Sequence, residues 1–217
     1  MNKTMQISVC LLLLLSLFVG CGKQSQPPQT VVATINGEAI TDREIDYFIK
    51  RNRTQIINQY AEQYGLTDFS DFWDKPFDGV TPRQALEQKA FEDACDAKIR
   101  LLLMRDKGVY DDISFAGLEN RAKAYNAEHE NQKNTVGIRT IDLTTFYTYY
   151  LSTGEMTLKN LLAEDELKPT SAEIQSYMDT YGEMTEQGAI SYIVDERYET
   201  YIADLLTNAT IVQEDLQ

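Results

Sequence analysis

The chain has 217 residues, of which 34 are Asp or Glu and 20 are Lys or Arg, for a formal charge of −14. That balance excludes nucleic acid as a partner, because phosphate binding draws on Lys and Arg, and it excludes electrostatic attachment to anionic lipid. The length suits one large domain or two small ones with a real core.

In chain order, Val9 to Val19 is an almost unbroken apolar run with Lys3 the only charge before it. It is too short for a comfortable bilayer span and reads as a secretory signal over residues 1–20. The run ends in Phe18-Val19-Gly20-Cys21, which resembles the lipobox of bacterial lipoproteins. The resemblance implies that Cys21 carries diacyl and acyl (palmitate-type) chains and anchors the mature chain, extracytoplasmically, to a bacterial membrane. Phe18 departs from the usual aliphatic residue there, and a plain signal peptide with an incidental Cys21 is the alternative. Two or three acyl chains give stable attachment where one does not. Gly22 after the cysteine suits either a Gram-positive cell membrane, which is favoured, or a Gram-negative outer membrane. Residues 21–30 are then the lipidated cysteine and a tether, since "GKQSQPPQT" lacks a large apolar residue and its prolines favour extended chain. Cys10 lies in the signal, so Cys95 has no partner for a disulfide and is expected as a small buried apolar residue.

The folded unit spans residues 31–217. Val32 to Ile35 and Glu38 to Ile40 flank Asn36-Gly37, the pair favoured in two-residue hairpins. Thr41 and Glu44 form a capping box that opens a helix, with Ile40 and Ile45 placed as its hydrophobic staple. Two short strands need a third, and Ala209 to Val212 is the candidate. The first helix carries Ile45, Phe48, Ile49, Ile56 and Tyr60 on one stripe and ends near Gly65. A second opens at Thr81-Pro82-Arg83-Gln84 and runs through Phe91, Cys95, Ile99, Leu102 and Leu103 to Gly108. A third follows Ser114. A fourth bears Leu143, Phe146, Tyr147, Tyr150, Leu151, Leu158, Leu161 and Leu162, a fifth is capped by Thr170, and the last starts near Ala189.

Taken together, "VVATINGEAITDREID", "LLLMRDKGVYDDISF", "LKPTSAEIQSYM" and "YETYIADLLTNATIV" resemble successive segments of SurA-like chaperones and PrsA-type foldase lipoproteins. The resemblance implies a mainly α fold: a SurA N-terminal-like helical chaperone domain whose small three-stranded sheet, a hairpin plus a returning strand, joins the two ends. That family usually carries a parvulin prolyl isomerase domain of about ninety residues after the segment ending at Tyr177, and here the last helix follows almost at once. The parvulin domain is therefore expected to be absent and the chain not to be an enzyme. The sole histidine, His129, flanked by Glu128 and Glu130, is expected as a solvated helix residue. Residue types for a nucleophile-base pair, a zinc site or a phosphate loop are missing, so no cofactor or metal is expected. Asp68, Asp71, Asp74 and Asp78 do not follow EF-hand spacing and read as a solvated acidic loop.

Phe69, Phe72, Trp73 and Phe77 have two readings: a plug at one end of the helical core, or an apolar surface that binds peptide. Tyr147 and Tyr150 likewise suit either the core or an amphipathic groove. Two functions follow. One is a membrane-anchored holdase for unfolded exported polypeptides; the other is a scaffold or dedicated-partner lipoprotein on the same fold. A broad apolar concavity would favour the first, and a mostly polar surface with small patches the second.

Overall fold

The computed structural model describes residues 29–130 and 140–214. The signal, Cys21 and most of the tether lie outside the described residues. The elements are β1 (Val31–Ile35), β2 (Glu38–Thr41), α1 (Asp42–Tyr64), α2 (Pro82–Asp106), α3 (Phe115–His129), α4 (Leu143–Ala163), α5 (Ser171–Tyr181), α6 (Glu186–Thr207) and β3 (Ile211–Gln213). Six helices and one antiparallel sheet of order β2-β1-β3 make the fold mainly helical.

Local chemistry sets most boundaries. Asn36 and Gly37 take φ of 50° and 81°, the left-handed pair that a tight hairpin needs. Thr41 ends β2 and caps α1: its side chain accepts the Glu44 N–H, while Glu44 accepts the Thr41 N–H at 3.0 Å. Ile40, at the staple position, is fully buried, and Ile45 is half-buried. α1 stops at Gly65 in the αL conformation, and the Thr81–Gln84 and Thr170–Glu173 boxes open α2 and α5. Two boundaries differ from the sequence expectation. α6 begins at Glu186 rather than near Ala189, because Thr185 caps it by accepting the Gly188 N–H. β3 begins at Ile211 rather than Ala209, because Ala209 still donates to Leu206 O in the helix exit.

α2 is the central element. Between Ala94 and Met104 only Asp96 and Arg100 escape full burial, so this half of the helix is covered nearly all round by α1, α4, α6 and the sheet rather than along one stripe. Its inward positions join Ala33, Ile35 and Ile40 from the sheet, Tyr47 and Phe48 from α1, Phe146, Leu158 and Leu162 from α4, and Tyr198 and Ile202 from α6. One charged pair crosses this core: Lys98 Nζ forms an ion pair with Glu44 Oε1 at 2.7 Å, with both side chains buried. The N3 residue of the α1 capping box is thereby tied to the middle of α2. Leu161, expected on the inner stripe of α4, instead faces solvent. α5 buries no residue and leans on α6.

Candidate polypeptide-binding surfaces

The loop between α1 and α2 folds back over the far end of that helix pair. Phe72 is buried there against Tyr60, edge to face at 5.9 Å, in a satellite core with Ile56 and Leu86. Phe77 packs half-buried on Tyr60 and Tyr64, and Trp73 lies at the rim with the Arg53 guanidinium 4.6 Å above its ring. Phe69, 44% exposed, and Val80 are the exposed large apolar side chains of this loop. Of the four aromatics expected as contacts, Phe72 is therefore core, Trp73 and Phe77 are shared, and Phe69 is surface.

The aspartates of this loop are engaged locally. Asp68 accepts the N–H and O–H of Ser70, which hold its carboxyl below the usual range. Asp74 pairs with Arg83, and Asp78 accepts the Tyr64 hydroxyl at 2.7 Å. Among the described residues no group of three or more His, Cys, Asp or Glu is placed to hold a metal ion.

Tyr147 and Tyr150 are core residues, which corrects the groove reading for both. Tyr147 packs on Tyr47 at 4.5 Å and Phe115 at 5.8 Å, and burial drives its phenol well above its ordinary range. Tyr150 stacks on Tyr110 at 4.0 Å and donates to Asp112 O, while the Tyr110 hydroxyl donates to Tyr150 O at 2.8 Å. Their aromatic area is used between α4, α1, α3 and the segment after α2, leaving no open face for a ligand. His129 is not free in solvent either: its ring stacks on Tyr125 at 4.0 Å and its Nδ1 lies 2.7 Å from Tyr125 O. Cys95 is buried, and desolvation with the nearby Glu92 charge pushes its thiol up to about 11. It is a packing residue rather than a nucleophile.

The exposed apolar surface lies mainly elsewhere. A groove of about 350 Å³ runs between α4 and α6, with Met156, Ala163, Ile190 and Val194 as its apolar lining and Glu155, Lys159 and Asp195 across it. Met156 is 62% exposed. On the outer side of α5 and α6, Tyr177 contacts Tyr181 at 4.5 Å and Tyr192 at 6.1 Å, and Tyr181 and Tyr192 are open to solvent. Sequence reasoning passed over Met156, Tyr181 and Tyr192 because they fall off the inward stripes; an exposed Met or Tyr at an off-stripe position is the only signal the sequence held. A third, more polar cleft of about 480 Å³ between α1, α2 and α4 is crossed by ion pairs, with Arg100 bound to Asp96 and Glu199 and buried Asn52 donating to Asp93 at 2.8 Å. No described helix is long and apolar enough to cross a membrane.

No family model matches the chain, and no solved structure matches it. Over 130 residues, 56% of the chain, it is 29% identical to the chaperone for lacto-N-biosidase of Bifidobacterium longum subsp. longum. The match spans 45% of that relative's length. The SurA and PrsA foldases are not among these matches.

Proposed function

We propose that the chain is an extracytoplasmic chaperone, held at the membrane through lipid on Cys21 and dedicated to one exported protein partner. The observation that carries this reading is its similarity to a chaperone named for a single enzyme. The surface agrees with it. Among the described residues the exposed large apolar side chains are spread over the loop before α2 (Phe69, Val80), the sheet (Val31, Ile211, Val212), α4 (Tyr149, Met156, Leu161) and the α5–α6 pair (Tyr181, Tyr192). A holdase for unfolded chain at large draws on broad contiguous apolar area. Gly182 to Thr185 link α5 directly to α6, which leaves no room for a domain inserted at that place, and the proposed role does not draw on prolyl isomerase catalysis.

The test is co-expression with exported glycosidases of the lacto-N-biosidase type. The yield of active enzyme should rise for one partner, and the protein should neither slow aggregation of an unrelated reduced client nor accelerate Xaa-Pro isomerisation. Suppression of several unrelated clients at equimolar ratio would replace the dedicated reading with that of a general holdase.

A further inference from the structure

Among the described residues the third strand has no neighbour on its outer edge. Asn36 N–H donates to Thr210 O at 2.9 Å and Glu214 N–H to Val32 O at 3.0 Å. With Thr34 opposite Val212, these bonds fix residues 210, 212 and 214 as the positions bonded to β1. Alternation in an antiparallel ladder then turns the N–H and C=O of Ile211 and Gln213 away from the sheet. At its Gln213 end this edge runs into a cleft of about 540 Å³ between the sheet and the first turns of α1 and α2. Val32, Ile45 and Phe91 supply its apolar surface; Asp42, Asp46, Glu87 and Glu214 supply four carboxylates, and no lining residue is Lys or Arg.

We propose that this cleft receives an extended segment of the protein partner in which Lys or Arg alternates with aliphatic residues, added as a fourth strand on the outer edge of β3. The inference rests on the chaperone reading for its partner. An extended strand presents side chains alternately to its two faces, so one row can enter the apolar floor while the cationic residues meet the rim. Backbone bonds to Ile211 and Gln213 supply sequence-tolerant affinity, and the carboxylates select the sign of charge. Anionic headgroups and acidic segments are repelled by the same four groups.

The test uses two fluorescent twelve-residue peptides, one alternating Lys with Val and one alternating Glu with Val, titrated into the purified protein and followed by anisotropy. The Lys peptide should bind and the Glu peptide should not. Asp46→Lys with Glu87→Lys should weaken binding at least tenfold, whereas Glu62→Lys with Glu128→Lys, an equal charge change on exposed positions away from the cleft, should alter it less than twofold. Ile211→Pro deletes an outward N–H while sparing the bonds at 210, 212 and 214, and should weaken binding comparably with an unchanged thermal midpoint. Should that variant unfold, Gln213→Pro provides the same deletion. Equal weakening by both charge-reversal pairs, or full binding by the cleft and proline variants, would overturn the proposal. If the native protein raises partner yield and the cleft variants do so equally, the cleft proposal fails while the chaperone reading stands. If the native protein raises no yield but the Lys peptide still depends on the cleft, the chaperone reading fails and the peptide site remains.

Discussion

Gly154 lies where Tyr110 crosses α4: a Cβ there would come 2.6 Å from Tyr110 Cε2 and 2.7 Å from Met104 Sδ. Helix propensity alone would favour alanine by about 1 kcal/mol. Overpacking in a filled core costs about 1–3 kcal/mol, and here it also displaces the Tyr110 hydroxyl from Tyr150 O. Gly154→Ala is therefore expected to lower the urea midpoint without changing the slope of the transition. The Lys98–Glu44 pair offers a second test. Lys98→Met leaves a buried carboxylate without its cation and should cost about 3–5 kcal/mol. Adding Glu44→Gln removes the orphaned charge and keeps an oxygen for the Thr41 N–H, so the double variant should recover most of that loss. A double variant no more stable than Lys98→Met would show that the pair is not energetically coupled.

Among the helices, α1, α2 and α5 were legible because their ends carry self-contained chemistry: Thr41 with Glu44, Thr81 with Gln84, and Thr170 with Glu173 each satisfy end groups within four residues of chain. The hairpin was legible for the same reason, since Asn36-Gly37 encodes its own turn. What depends on packing was not. The all-round burial of α2, the Lys98–Glu44 pair and the bareness of α5 follow from which helix lies against which, and 3.6-residue periodicity does not encode that. The choice between core and surface stayed open in the sequence for the same reason: aromatic residues such as Tyr147 and Phe72 signal apolar area, and only the tertiary arrangement decides whether that area is spent inside. α5 also carries a prediction. Its N-terminus is joined to α6 by Glu173, whose carboxyl is held below the usual range by the backbone N–H and hydroxyl of Thr170 and by Arg197. A depressed carboxyl stabilises the folded form above its ordinary value, and that contribution is lost as pH falls through the lowered one. Hydrogen-exchange protection of α5 should therefore fall on acidification below about pH 4 while that of α2 persists, and Glu173→Gln should flatten this dependence.

Over the whole molecule, the chain closes on itself through two features of very different weight. β3 joins the N-terminal hairpin, yet all three of its residues are exposed, and it is held chiefly by backbone bonds such as Asn36 N–H to Thr210 O, each worth about 0.5–1.5 kcal/mol net. α6 buries Ile193, Val194, Tyr198 and Ile202, with the Tyr198 ring lying between Arg100 at 5.3 Å and Lys159 at 4.6 Å. At about 1.5–3 kcal/mol for each buried side chain, these four contribute about 6–12 kcal/mol, comparable with the usual margin of about 5–15 kcal/mol for a whole domain. Two truncations separate these contributions. Ending the chain after Asn208 removes β3 alone and should lower the thermal midpoint by several degrees while the transition stays cooperative. Ending it after Thr185 strips α2 and α4 of their cover and leaves Arg100 and Lys159 without Glu199 and Asp195, so no cooperative transition should remain. Calorimetry of the two truncated chains decides the matter: a cooperative transition in the shorter one would mean that the first five helices with the hairpin form a self-sufficient core and that α6 is an appendage to it.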